Sequence, residues 1–253
     1  MKIGMFDSGV GGLTVLKEFI EIMPNHEYIY FGDTKRVPYG GKSKESIISF
    51  SKEIIEFLIS KKVDLIIIAC NTASAVALEE IKNDYNIDII GVINPAVEFV
   101  KNSNFEKIGL IGTKTTTDSN IYKKYLINKV IISKACPLLV PLIEENIKSE
   151  KIINTIINYY LNDFKNSNID CLILGCTHYP ILENKMKNYL KSIKIINPAV
   201  ETAKYVKNKY KNLIETKNKI TFYFSDINEN IYELAERIMN DDITKYKIEE
   251  KSF

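Results

Sequence analysis

Short apolar segments rich in β-branched residues alternate along the chain with longer segments that repeat apolar residues at helical spacing. The segments DLIIIA and CLILG are almost continuously apolar, as expected for strands buried on both faces. Segments 44–60 and 151–164 each place their apolar residues on one stripe of a helix. This alternation predicts an α/β protein with open parallel sheets covered by helices. The predicted strands are 2–6, 27–31, 64–69, 87–92, 107–111, 130–134, 171–175, 193–196 and 219–224, and the polar stretch from Asp241 is expected to fray.

The chain contains an internal duplication. KIGMFDSG from Lys2 resembles KIGLIGTK from Lys107, and DLIIIACNTAS from Asp64 resembles DCLILGCTHYP from Asp170. The six residues INPAVE occur twice, so that three collinear pairs have offsets of 105, 106 and 103 residues. Apolar strand repeats carry little specificity by themselves. The identical INPAVE segments and the paired cysteines nevertheless favour two related α/β units.

The duplication predicts two similar open-sheet lobes related by an approximate two-fold axis. The first lobe is expected to hold residues 1–95 plus 207–253, and the second residues 96–206. Each INPAVE segment ends a strand with a helix-breaking proline next to it, so we expect the chain to cross between the lobes there. Ligands of such sheets bind beyond the carboxyl ends of the strands, which predicts an active site in the crevice between the lobes.

Composition and charge exclude several classes of protein. The 34 basic and 32 acidic side chains leave a formal charge of only +2, and the only arginines are Arg36 and Arg237, which argues against a nucleic-acid-binding protein. No apolar run approaches the roughly 20 residues that a membrane span needs, and the first residues do not resemble a signal peptide. We therefore expect a cytoplasmic protein whose four cysteines are thiols. No C-x-x-C pair is present, and no metal site is expected.

Cys70 and Cys176 occupy equivalent places in the two repeats. Each follows a buried strand and is followed at once by polar residues, Asn-Thr in one repeat and Thr-His in the other. A thiol at a helix start lies near unpaired N–H groups that favour its thiolate, whereas Cys136 and Cys171 are typical of core residues. Two thiols facing one another could remove a proton from one side of a carbon and return it from the other. A redox disulfide and a single nucleophile remain alternatives.

Two glycine-containing loops and one histidine add further candidates. Asp7 begins DSGVGG, whose spacing fits neither a dinucleotide fingerprint nor a P-loop, and its carboxylate could hold an ammonium group or orient a base. The N–H groups of Tyr39 and Gly40 in DTKRVPYGG could bind a carboxylate. His178 is close enough in sequence to assist the second cysteine. Glu145 is either a solvated charge at a helix end or a residue of the site.

DSGVGG, DTKRVPYG, ACNTAS and GCTHYP, in this order and spacing, resemble the motifs of bacterial glutamate racemases, which belong to the aspartate/glutamate racemase family. The resemblance implies an isomerase that interconverts L- and D-glutamate without a cofactor and supplies D-glutamate for peptidoglycan. It implies that Cys70 and Cys176 are the catalytic acid/bases, supported by Asp7, His178 and Glu145. The substrate-contact positions it implies are Asp7, Ser8, Tyr39, Gly40, Asn71, Thr72, Thr116, Thr177 and His178.

The expected partner is a small-molecule substrate, glutamate, with no nucleic acid and no membrane, and a homodimer is expected. One alternative is a racemase of another acidic amino acid such as aspartate, against which the DTKRVPYG loop and the length favour glutamate. The other alternative is an amino-acid-binding protein, since two α/β lobes around a crevice also describe such proteins. The paired cysteines discriminate, because a binding protein has no need of two thiols.

Overall fold

The computed structural model describes residues 1–210 and 219–253 and contains two parallel β-sheets with helices packed against them. The strands are β1 (Lys2–Asp7), β2 (Glu27–Gly32), β3 (Leu65–Ile68), β4 (Ile89–Gly91), β5 (Lys107–Gly112), β6 (Val130–Ala135), β7 (Cys171–Gly175), β8 (Lys194–Ile196), β9 (Lys219–Phe224) and β10 (Lys247–Glu250). The helices are α1 (Leu13–Ile22), α2 (Lys44–Ser60), α3 (Asn71–Val76), α4 (Leu78–Ile81), α5 (Ile93–Lys101), α6 (Lys114–Asp118), α7 (Ile121–Tyr125), α8 (Leu139–Glu144), α9 (Glu150–Asn166), α10 (Glu183–Leu190), α11 (Pro198–Lys209) and α12 (Glu229–Met239). None of these helices is long and apolar enough to cross a lipid bilayer.

The two sheets repeat one topology. The first has the order β10-β9-β2-β1-β3-β4 and the second the order β6-β5-β7-β8, with every pair parallel. Strands β1 to β4 therefore stand in the same relation to one another as strands β5 to β8, which is the order of the sequence repeats. The predicted fold class, α/β with two open parallel sheets, is confirmed. The first sheet is extended by β9 and β10, which have no counterpart in the second.

The chain passes between the sheets at two helices that contact one another, α5 after β4 and α11 after β8. The first INPAVE segment begins α5, and the second runs from the last residue of β8 into α11; in both copies the proline lies in the first turn of the helix. A proline there stops no helix, because the first N–H groups of a helix have no partner within it. The second copy is also capped, since the side chain of Asn197 accepts a hydrogen bond from Ala199 N at 3.0 Å. The lobe boundaries at 95 and 206 stay a prediction.

The C-terminal residues differ from expectation, because part of the stretch predicted to fray forms β10. Residues 247–250 pair with β9 in parallel register and close one edge of the first sheet. The segment KIEE contains a single apolar residue, Ile248, which packs against the core. An edge strand needs little apolar surface, and charged residues on it discourage pairing with other chains. Its polar sequence is therefore compatible with a strand.

Candidate active site

The carboxyl ends of the central strands of both sheets meet at one cavity. Its volume, including the opening to solvent, is about 380 Å³. Cys70 follows β3 by two residues and Cys176 follows β7 directly, so the two repeats deliver one thiol each. The cavity is lined by Ser8, Val37, Pro38, Tyr39, Gly40, Cys70, Asn71, Thr72, Thr113, Val140, Cys176, Thr177 and His178. Most of the residues predicted for the site thus line a single cavity. No group of three or more His, Cys, Asp or Glu in the described ranges is arranged to hold a metal ion.

Cys70 is a thiol that caps a helix. Its Sγ accepts a hydrogen bond from the N–H of Ala73 at 3.4 Å in the first turn of α3, and it donates to Oγ of Ser8 at 3.6 Å. Burial, reinforced by the nearby Asp7 carboxylate, raises the pKa of Cys70 to about 12 against the opposing effect of these hydrogen bonds. Cys70 is therefore protonated at neutral pH in the absence of a ligand and can act as an acid.

Cys176 lies beside a charged histidine. Its Sγ is 3.9 Å from Nδ1 of His178, and Nε2 of His178 is 2.9 Å from Oε1 of Glu144. The direction of the Nε2 contact falls outside hydrogen-bond geometry, so it is an ion pair rather than a hydrogen bond. Burial opposes charge on the imidazole, but the contacts with Cys176 and Glu144 outweigh it and raise the pKa of His178 to about 10. His178 is thus an imidazolium at neutral pH, next to the second thiol.

The acidic residue that meets His178 is Glu144, not the predicted Glu145. Glu144 ends α8, and its carboxylate reaches the imidazole from the edge of the crevice. Glu145 follows the helix, is exposed, and lines a second, outer cavity together with Glu144. The role of Glu145 in the site stays a prediction.

Asp7 lies behind the cavity rather than in it. It ends β1, is fully buried, and accepts a hydrogen bond from the N–H of Gly9 at 3.1 Å. Thr177 connects it to the cavity, because Oγ1 of Thr177 lies 3.4 Å from Oδ1 of Asp7. Burial raises the pKa of the Asp7 carboxyl, although the charge of His178 and the N–H of Gly9 oppose it. Asp7 is therefore connected to the cavity through Thr177 and through the field it imposes on Cys70.

Polar side chains from both lobes meet across the cavity. The hydroxyl of Thr72 lies 2.9 Å from that of Thr113, and Thr116 lies below them, 3.0 Å from Thr113. Asn71 accepts a hydrogen bond from the buried hydroxyl of Tyr122 at 3.2 Å. Thr113 was not among the predicted site residues, although it is the repeat equivalent of Ser8 and the duplication could have identified it. Thr116, predicted as a contact, supports this hydroxyl cluster from beneath.

The loop of Tyr39 and Gly40 forms one wall of the cavity and is fastened on both sides. The Tyr39 hydroxyl donates to the buried carboxylate of Asp33, which also accepts from Nε of Arg36 at 2.7 Å and from Oγ of Ser225 at 2.8 Å. Thr115 of the second lobe donates through Oγ1 to the carbonyl of Gly40 at 2.8 Å. The wall is therefore rigidly held within the first lobe and joined to the second.

Comparison with known proteins relates this site to a family. The model of the family described as Asp/Glu/Hydantoin racemase matches residues 13–206. The chain belongs to this family. It is 45% identical over 246 residues to a glutamate racemase of Aquifex aeolicus, covering 96% of each chain. The predicted family and the prediction of an isomerase are confirmed.

Solved structures agree with this assignment. A glutamate racemase of Thermus thermophilus in complex with β-chloro-D-alanine has a TM-score of 0.90 and 37% identity, and the match covers 100% of this chain and 97% of that one. A glutamate racemase of Francisella tularensis in complex with D-glutamate also has a TM-score of 0.90, with 36% identity and coverage of 99% and 97%. The two-sheet architecture is therefore that of solved members of the family.

Proposed function

We propose that the protein interconverts L- and D-glutamate with two cysteines and without a cofactor. The observation that carries the proposal is the pair of thiols, Cys70 and Cys176, which reach one cavity from equivalent positions of two repeated lobes. The high similarity to glutamate racemases over nearly the whole chain supports glutamate as the substrate. The predicted supply of D-glutamate for peptidoglycan and the homodimer rest on the same similarity, and the cytoplasmic location stays a prediction from the sequence.

The two thiols have different resting roles in this mechanism. We assign the initial thiolate to Cys176, because the imidazolium of His178 places positive charge beside it. Cys70, whose pKa is raised to about 12 by burial, is the thiol that donates. For one enantiomer, Cys176 takes the α-proton and Cys70 returns a proton to the opposite face of the carbon. For the other enantiomer the roles exchange.

The carbanion-like state between the two proton transfers needs stabilisation from the cavity wall. Without an electron sink, this stabilisation must come from hydrogen bonds that strengthen as charge develops on the α-carboxylate. Asn71, Thr72 and Thr177 are neutral donors beside the thiols and suit this task. The N–H groups of Tyr39 and Gly40 suit the side-chain carboxylate. We expect the crevice to close around the substrate, which excludes water and strengthens each of these interactions.

The test is an assay of racemisation by the purified protein with no cofactor added, in which circular dichroism monitors the reaction. We expect the circular-dichroism signal of L-glutamate, and equally that of D-glutamate, to disappear completely, because the two enantiomers have equal free energy. L-aspartate is shorter by one methylene, and we expect its kcat/KM to be lower by roughly 10- to 200-fold. A preference for aspartate would identify the alternative substrate, and binding of glutamate without any racemisation would identify a binding protein.

The glycine loop gives a second test. A Cβ added at Gly11 would lie 2.4 Å from Nδ1 of His178 and 2.7 Å from Oγ1 of Thr177. Gly11→Ala must therefore displace the imidazole, and we expect kcat to fall by about 10²-fold, as for a misplaced catalytic group. Gly41→Ala is the matched control, because a Cβ there has no atom within 4 Å. Equal kinetics of the two variants would show that the position of His178 is unimportant.

A further inference from the structure

Helix α12 of the first lobe is tied to the end of α8 in the second lobe by Arg237. Its Nη2 donates a hydrogen bond to the carbonyl of Ile143, the residue that precedes Glu144. The same carbonyl accepts from the N–H of Asn146 at 3.1 Å. Carbonyls at the end of a helix lack partners within it, and a cation there is favourable. Arg237 thus fixes the backbone at the position from which Glu144 projects.

Glu144 needs such support because its own side chain is weakly held. Its side chain is 39% exposed, and its ion pair with His178 is the only one it makes within the described residues. Exposed ion pairs contribute little by themselves, since ordering a long side chain costs conformational entropy. Whether the carboxylate stays on the imidazole therefore depends on where the end of α8 is placed.

We propose that Arg237 is a positioning residue: by holding the end of α8, it keeps Glu144 on His178 and so sustains the charged partner of Cys176. This rests on the proposed racemase function. The groups that face His178 are Cys176, Glu144 and the more distant Asp7. Two further carboxylates, Glu145 and Glu233, line the outer cavity with Glu144 and Arg237. Within the part of the chain that the structure describes, Arg237 does not line the inner cavity and bonds to no thiol, so we infer that it acts through α8.

A purely structural role would make Arg237 no more than a link between two helices. Lys17 provides the matched control for that case, because its Nζ donates to the carbonyl of Ile238 on the same helix at 3.3 Å. Lys17 reaches α12 from α1 and has no contact with α8 among its hydrogen bonds in the described ranges. Lys17→Met therefore removes a cation-to-carbonyl bond of the same kind without affecting Glu144.

The first readout is the titration of His178 in the full-length protein, which is monitored by proton NMR. The chain has only two histidines, His26 and His178, so the spectrum is simple and His26 is an internal reference. Glu144 helps to raise the pKa of His178 to about 10, so a weaker contact must lower it. We expect Arg237→Met to move the His178 midpoint to lower pH by about one unit or more, Arg237→Lys to move it less, and Lys17→Met to leave it unchanged.

The second readout is kinetic. We expect Arg237→Met to lower kcat for glutamate on the order of 10-fold, less than a displaced reacting group would. KM should change less than twofold, and the alkaline limb of kcat/KM should move to lower pH with the His178 midpoint. In a Glu144→Gln background the added Arg237→Met should have no further effect, because the two residues act in one chain of contacts.

Two results would overturn the proposal. One is an unchanged His178 midpoint in Arg237→Met when the variant is folded, and the other is independent, multiplying effects of Arg237→Met and Glu144→Gln on kcat. If the unmodified protein failed to racemise glutamate, the proposed function would fail, but the NMR titration would still decide whether Arg237 controls the Glu144–His178 contact.

Discussion

Cys70→Ser and Cys176→Ser are each expected to lower kcat for glutamate racemisation by about 10³-fold, within the range for loss of a general acid or base. A serine hydroxyl is far less acidic than a thiol, so it is a poor base. It also donates a proton to the carbanion-like carbon more slowly than a thiol does. Both residues lie on the wall of the same cavity, and each step of the proposed mechanism needs one of them. Steady-state kinetics with both enantiomers, together with thermal unfolding to verify the fold, measures the effect.

The control for these substitutions is Cys171→Ala, which removes a fully buried thiol from β7 without altering the cavity. We expect this variant to retain nearly full activity. Retained activity in both serine variants would contradict the two-base mechanism.

An isotope experiment distinguishes a mechanism with two bases from a mechanism with one. In the proposed mechanism, when the unmodified protein acts in D₂O, one thiolate accepts the α-proton of the substrate and the opposite thiol, exchanged with solvent, delivers a deuteron. The product should therefore carry deuterium at the α-carbon from the earliest times, while the remaining substrate stays unlabelled. Product that retains the original α-proton would show that a single group serves both faces.

The location of the site could be predicted because of how parallel sheets are built. Strands β3 and β7 are apolar up to their last residue, and polar residues begin directly after the cysteine that follows each strand, so the sequence marks the carboxyl end of each strand. In parallel sheets these ends share one edge, which places Cys70 and Cys176 at the crevice. The repeat then relates the two thiols, and the cavity lining agrees with that interpretation.

Other contacts could not be predicted, because they depend on tertiary placement. Glu144 and Glu145 are adjacent acidic residues at the end of a short helix, and only the packing of α8 decides which one reaches His178. Arg237 meets Ile143 across 94 positions of sequence, and Tyr122 meets Asn71 across 51. Neither pair occupies equivalent positions of the repeat or shares a motif, so nothing in the single sequence relates its two members.

The supporting residues divide between the two thiols in an unequal way. The first repeat provides a carboxylate, Asp7, whose charge helps to raise the pKa of Cys70 beyond the effect of burial. The second provides an imidazolium, His178, at 3.9 Å from Cys176. Asp7 does not line the cavity, whereas Thr177, which bonds to it, does. This arrangement favours a role for Asp7 in proton transfer over direct binding of the substrate ammonium group.

Asp7→Asn and His178→Asn should therefore each lower kcat by about 10²-fold, the lower end of the range for proton-transfer groups, with smaller effects on KM. Each variant should also change kcat unequally in the L→D and D→L directions, because each side chain serves mainly one thiol, which is the base in one direction and the acid in the other. The ratio of the two kcat/KM values must stay at unity, since the enantiomers have equal free energy, and it serves as an internal check on the data. Steady-state kinetics in both directions is the measurement. If both variants raised KM and retained kcat, Asp7 and His178 would only hold the substrate, and the assignment of one supporting group to each thiol would be wrong.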